Sequence, residues 1–215
     1  MTHLPVPRLI PELTQKRLPG AKVRFHLQEP ELLLVDHFLT GFTCQEIIDR
    51  HEDKVKPVGF VDKDGNEILS ERRTSEGCPM DPSWVVTQHL DELFEEVFLW
   101  PGAMMEPTYF VRYRPDQHID AHFDFFGPEQ VTAKGYQRVG TALIYLNSTE
   151  DEGTTVYDQL GLRITPHEGS LLFMNYPTAS RDNQTRHGSE TMESNTKYVL
   201  IKWFTSHPVK ERLHG

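Results

Sequence analysis

Positive charge is scarce in this 215-residue chain: 22 Lys and Arg stand against 32 Asp and Glu, for a formal net charge of −10. Nucleic-acid surfaces are built from Lys and Arg facing phosphates, so that class of partner is excluded. A basic peptide is compatible with the balance, although acidity is also an ordinary route to solubility. Cysteine is scarcer still; Cys44 and Cys78 are too few for a disulfide framework. Cys44 follows Phe42 in a helical pattern and is expected to be a small buried hydrophobe rather than a reactive thiol. No apolar run approaches the ~18 residues of a membrane-spanning helix, and residues 1–30 hold no uninterrupted hydrophobic signal region. The expectation is a soluble, cytoplasmic protein with no membrane partner, its oligomeric state left open. An H-E-x-x-H helix is missing too, which counts against a zinc hydrolase.

What is present suffices for one domain, which at this length would bury roughly 70% of its unfolded surface. The expected boundaries are an arm over residues 1–30, marked by Pro5, Pro7, Pro11, Pro19 and Pro30, and a single domain over 31–215. Leu32–Val35 has strand character, and Thr43 with Glu46 three residues later offers a capping box for a helix that turns Ile47 and Ile48 inward. Residues 58–77 form a polar hairpin around an Asp64-Gly65 turn, either a solvated loop or a lid. Asp81–Trp84 opens the clearest helix, with Val85, Val86, Leu90, Leu93, Phe94, Val97 and Phe98 at helical period. Strand-like runs follow at 106–113, 139–146, 154–157, 161–165, 170–174 and 198–204. Helices first and short strands afterwards point to an α+β, mainly β chain: a sandwich or jelly roll backed by N-terminal helices.

The stretch Tyr113–Asp124, YRPDQHIDAHFD, carries the chemistry. Two imidazoles and one carboxylate on one face of an octahedron make an open iron site, and His122 and Asp124, two apart on an extended strand, would share a face. His187 is the candidate third ligand. The H-x-D spacing also occurs at His51/Asp53, His89/Asp91 and His118/Asp120. The first two lie in helical patterns, where a separation of two turns side chains about 200° apart, and are expected at the surface. Between His118/Asp120 and His122/Asp124, spacing alone does not choose.

From about Leu32 to Phe204 the chain resembles the prolyl 4-hydroxylase type of Fe(II)- and 2-oxoglutarate-dependent dioxygenase. Tyr113 stands nine residues before His122, as the family's tyrosine does before its first metal histidine, and this selects His122/Asp124. R-x-x-T-x-x-x-Y-L-N follows at Arg138–Asn147, a glycine turn ending in threonine at Glu152–Thr155, and P-x-x-G-x-L-x-F at Pro166–Phe173. The distal histidine and a lysine ten residues later are His187 and Lys197. Two departures are visible: Ile119 stands where the family often has a second tyrosine, and Glu152-Gly153 stands for its paired glycines.

The resemblance implies a double-stranded β-helix that binds Fe(II) through His122, Asp124 and His187. It implies 2-oxoglutarate held by Lys197 and Tyr145, O2 as oxidant, and ascorbate beside them. Tyr113 would bond cosubstrate or substrate, and Arg73 and Ser75 match the family's arginine-threonine-serine segment near the substrate. Trp203 matches the family's late tryptophan and is expected to pack. The implied reaction couples decarboxylation of 2-oxoglutarate to succinate and CO2 with hydroxylation of an unactivated C–H bond. By resemblance the substrate is a prolyl residue in a peptide or protein. A free amino acid or small metabolite is the same-class alternative, and a non-catalytic binding module on the same fold is the other.

Overall fold

Leu32–Val35, 139–146, 171–174 and 198–204 are apolar at most positions, and alternation along a strand sends half of each run to either face. Such runs suit strands covered on both sides. That is how they lie in the computed structural model, which describes residues 4–61 and 67–209. Helix α1 (Pro11–Arg17), strands β1 (Lys22–Gln28) and β2 (Glu31–Asp36) and helix α2 (Gly41–His51) come first. Short strands β3 (Lys56–Pro57), β4 (Phe60–Val61), β5 (Glu67–Ile68) and β6 (Glu76–Pro79) precede the long helix α3 (Val85–Phe98). Then come β7 (Tyr109–Tyr113), β8 (Ile119–His122) and helix α4 (Pro128–Lys134). The remainder is sheet: β9 (Arg138–Tyr145), β10 (Thr155–Tyr157), β11 (Leu162–Ile164), β12 (Leu171–Asn175), β13 (His187–Ser189) and β14 (Lys197–Thr205).

An eight-stranded sheet, in the order β1-β2-β12-β9-β14-β7-β6-β3, faces a four-stranded one, β11-β10-β13-β8. Leu34, Leu143, Leu172 and Val199 cluster with Ile119, Tyr157 and Ile164 of the smaller sheet. Their neighbours in sequence, Val35, Ile144, Phe173 and Leu200, instead join Phe94, Val97 and Phe98 of α3. Period two thus divides the apolar runs between an inter-sheet core and a helix-backed core. This is the double-stranded β-helix that the resemblance implies.

Local readings need correction. Thr40, not Thr43, caps α2, its hydroxyl accepting from Thr43 N at 3.2 Å. Helix α3 begins at Val85; Asp81 instead holds Ser83 in a turn, and Val85 itself is exposed. His51 and Asp91 are not surface residues. His51 is buried between the rings of Trp84 and Phe110, and Asp91 on α3 takes the ammonium of Lys202, which is buried beneath it. The stretch before His122 is two strands, because β7 stops at Tyr113 and β8 starts at Ile119. Residues 11–17 and 22–28, expected in a proline-marked arm, form α1, with a proline in its first turn, and β1, the edge strand beside β2. The tip of the 58–77 hairpin, with the Asp64-Gly65 turn, lies outside the described residues.

Candidate active site

Period two also places the site. Lys197 pairs with Tyr113, Val199 with Tyr145, Ile201 with both Tyr109 and Leu143. These odd-numbered positions of β7, β9 and β14, with Trp203, line one face of a cavity of about 430 Å³. Ile119 and His122 of β8, Thr155 of β10 and His187 to Ser189 of β13 close the opposite side. The second-tyrosine position is therefore filled by an apolar wall residue, Ile119.

His122 and His187 are partners across the β8–β13 ladder. Asp124 lies two residues beyond the end of β8, in a bend, so the shared-face argument for His122 and Asp124 does not describe how they meet. Instead Thr141 of β9 reaches up and donates to Asp124 Oδ2 at 2.7 Å. One ligand atom from each of His122, Asp124 and His187 lies within 4.8 Å of the others, close enough for one ion to reach all three. The donor chemistry suits a divalent cation. His122 Nδ1 donates to Asp120 O at 2.9 Å and His187 Nδ1 to Thr185 O at 3.0 Å, which fixes the tautomers and turns each Nε2 lone pair toward Asp124. Burial pushes His187 down to about 4, against the field of Asp124, so the ring is neutral as a ligand must be. Burial acts the other way on Asp124 but is outweighed by His187, His122 and Arg138, and the carboxyl stays ionised. His118 and Asp120 sit partly exposed, and Arg72 occupies Asp120. The geometry gathers His122, Asp124 and His187, and leaves that pair outside.

Lys197 stands on the opposite face of the cavity, on β14. It is 2% exposed, its ammonium donating to Gly153 O at 2.6 Å and Ser189 Oγ at 2.9 Å. An ammonium has three donors, and no carboxylate among the described residues bonds this one. Burial lowers it to about 7, with Glu190 opposing. A buried cation lacking a counter-ion is costly, and a ligand carboxylate entering the cavity would supply one. The rings of Tyr113 and Tyr145 lie 5.3 and 5.5 Å from the ammonium. Tyr145 donates to Thr155 Oγ1 at 2.8 Å, so Thr155, which the sequence reading missed, lines the cavity beside Tyr145. Tyr113 meets Ser75, which also accepts from Arg73 Nε at 3.1 Å. Arg73 lines the cavity and Ser75 is buried behind it.

The far wall was not legible as a site. Phe125 and Phe126, then Gln130 and Lys134 of α4, then Arg138 and Trp203 form it. Arg138 is clamped by both oxygens of Glu106 at 2.7 Å and lies 3.8 Å from the Trp203 ring. Trp203 packs as expected, but it also lines the cavity, and its indole N–H is buried without a partner among the described residues.

Comparisons with known proteins agree with this geometry. Residues 108–205 match the model of the 2OG-Fe(II) oxygenase superfamily. Probable prolyl 4-hydroxylase 9 of Arabidopsis thaliana is 28% identical over 204 residues, covering 85% of this chain and 71% of that one. Prolyl 4-hydroxylase 5 of the same plant is 27% identical, covering 85% and 70%. Among solved structures, the viral collagen prolyl hydroxylase of Paramecium Bursaria Chlorella virus-1 superposes with a TM-score of 0.64 at 21% identity, covering 81% of this chain and 95% of that one. A Trichoplax adhaerens prolyl hydroxylase, solved with a hypoxia inducible factor peptide fragment, superposes at 0.59 with 13% identity, covering 94% and 90%. At these identities the superpositions speak for the fold, while the family match spans β7 to β14 and with them His122, Asp124, His187 and Lys197. Residues 108–205 are thus similar to the 2OG-Fe(II) oxygenase superfamily, most of the chain is similar to plant prolyl 4-hydroxylases, and the fold is the jelly roll of solved prolyl hydroxylases.

Proposed function

We propose that this protein is a prolyl hydroxylase acting on a peptide or protein segment, with Fe(II) held by His122, Asp124 and His187 and 2-oxoglutarate by Lys197. The observation that carries the reading is the shared cavity: a His, Asp, His cluster on one wall and, on the other, a buried Lys197 whose ammonium bonds no carboxylate among the described residues. When bound, Fe(II) with 2-oxoglutarate and O2 supplies decarboxylation to succinate and CO2 and the oxygen atom inserted into a C–H bond.

The chain's own residues bind and orient. Thr141 keeps the Asp124 carboxylate aimed at the metal position, and the two Nδ1–H donors keep the imidazoles from rotating. Lys197 offers a point cation for the far carboxylate of the cosubstrate. Tyr145 commits its hydroxyl hydrogen to Thr155, which leaves the Thr155 hydrogen available to that same carboxylate. Leu143, Val199, Ile201 and Ile119 keep water from the space between. On the substrate side, Arg73 and Ser75 with Tyr113, and Trp203 with Arg138, flank the position where a C–H bond would enter. Ascorbate belongs to the reading only as an added reductant.

The names of the relatives support a prolyl substrate. The test is to incubate the protein with Fe(II), 2-oxoglutarate and proline-containing peptides in air, following succinate and sequencing the peptides by mass. A one-oxygen gain on proline, with succinate formed alongside, supports the reading. Turnover of free amino acids with every peptide inert would replace it by a metabolite hydroxylase.

A further inference from the structure

Glu152 occupies one of the paired-glycine positions of the family, and its half-buried carboxylate accepts five hydrogen bonds. Oε2 accepts from the main-chain N–H of Glu193, Ser194 and Asn195, each at 3.0 Å. Oε1 accepts from Ser194 Oγ at 2.6 Å and Asn195 Nδ2 at 3.2 Å. Successive main-chain donors around one carboxylate form an anion nest. Residues 193–195 belong to the loop joining β13 to β14, which leaves β13 at Ser189, two residues after His187, and enters β14 at Lys197.

The next residue is the one that matters to the cavity. Gly153 has φ +58°, and its carbonyl accepts both the Lys197 ammonium at 2.6 Å and Ser189 Oγ at 3.2 Å. A Cβ at Gly153 would sit 2.3 Å from Met192 Sδ and 3.1 Å from Lys197 Cδ, so turn, loop and lysine stem are in mutual contact. Glu190 N donates to Thr154 O at 3.0 Å, closing the other side of the turn.

We propose that Glu152 is a positioning residue for cosubstrate binding: by clamping the 193–195 loop to its own turn it holds the Gly153 carbonyl beneath Lys197 and keeps that ammonium aimed into the cavity. The inference rests on the assignment of Lys197 to 2-oxoglutarate. Ser194 above all, then the main-chain amides, bring Glu152 down to about 2, so the clamp is closed at every physiological pH. Glutamine cannot replace it, because its NH2 would face donors with a donor.

The experiment is a titration of the Fe(II)-loaded protein with 2-oxoglutarate in the absence of O2, read by the visible charge-transfer absorption, for wild type, Glu152→Gln and Glu152→Gly. Both variants are expected to bind 2-oxoglutarate about tenfold more weakly, with Fe(II) affinity held, as loss of a bond behind a binding group does. In turnover, the KM for 2-oxoglutarate rises while kcat at saturating cosubstrate and the substrate KM hold to within about twofold, a split that general loosening of the fold would not give. An unshifted 2-oxoglutarate Kd, or an equal loss of Fe(II) binding, overturns the proposal. If Glu152→Gly does not fold, Ser194→Ala removes a donor from the other side of the clamp and should shift the same Kd in the same direction. Absorption missing already in wild type would refute the dioxygenase site itself, an outcome distinct from a wild-type signal that the variants leave unshifted.

Discussion

His122 and His187 face each other across the β8–β13 ladder with their ring centroids 4.8 Å apart. Strand pairing fixes the two proposed imidazole ligands, but the proposed third, Asp124, lies past the strand end and is bonded by Thr141. Thr141→Val is therefore expected to weaken Fe(II) binding by about 10–100-fold without unfolding the protein, while Thr141→Ser, which keeps the hydroxyl, stays near wild type. Metal titration under nitrogen measures this. Equal Fe(II) affinity in Thr141→Val and wild type would show that Asp124 is held some other way.

Lys197 gives the site a pH dependence whose sign can be worked out. Burial lowers its pKa to about 7, and a dianion binds the protonated form. The 2-oxoglutarate Kd is expected to be flat below that pH and to rise above it by up to about tenfold per pH unit. Stability of the cosubstrate-free protein moves the other way. An unfolded lysine keeps its proton to about pH 10.4, so between the folded and unfolded values the unfolded state binds more protons and this group makes stability rise with pH. Lys197→Met should abolish the pH dependence of both. An affinity independent of pH would contradict the assignment.

Trp203 separates the two ends of the cavity. Its N–H is buried beside Arg138, without a partner among the described residues, six residues along β14 from Lys197. Trp203→Phe removes a donor that a substrate carbonyl can use, so the KM for substrate should rise several-fold, about the worth of one hydrogen bond, while the 2-oxoglutarate Kd stays put. Steady-state kinetics with each reactant varied in turn tests this, and a shift in the cosubstrate alone would reverse the orientation proposed.

Phe98 tests the layer behind the site. Its ring lies 4.7 Å from Phe173 and 4.8 Å from Phe204, joining α3 to β12 and β14. Phe98→Ala should cost about 3–5 kcal/mol of unfolding free energy, readable by denaturant melts, with 2-oxoglutarate affinity retained in the folded fraction. A small loss would mean that α3 contributes little to holding the sheet.

Apolar runs made much of the fold legible. The stretches 139–146, 154–157, 161–165, 170–174 and 198–204 became β9, β10, β11, β12 and β14; in β9, β12 and β14 this is because burial on both faces demands near-continuous hydrophobicity. Strand β13 left no such trace: His187, Gly188 and Ser189 are held by their neighbours β8 and β10. Strand β1 is an edge strand whose alternating Val23, Phe25 and Leu27 went unread, because prolines that mark a helix start and a turn looked like an arm. The cap of α2 was displaced because Thr40 and Thr43 are both able to cap and their hydroxyls bond each other. At the site, His122, Asp124, His187 and Lys197 were singled out through ordered motifs, and the fold brings all four to one cavity. Thr155, Phe126, Lys134 and the cavity side of Trp203 were not, since they meet only through long-range packing. Glu152 was visible as a departure from a glycine pair, but its role needs the 193–195 loop beside it.

The most direct test of the central claim needs no substrate. Purified protein is given Fe(II) and 2-oxoglutarate without O2, and the weak visible metal-to-ligand charge-transfer band is recorded for wild type, His187→Ala and Lys197→Ala. The account predicts a band in wild type, its loss in His187→Ala, and its appearance in Lys197→Ala only at much higher 2-oxoglutarate. No band in wild type, with the metal shown to be bound, would contradict it.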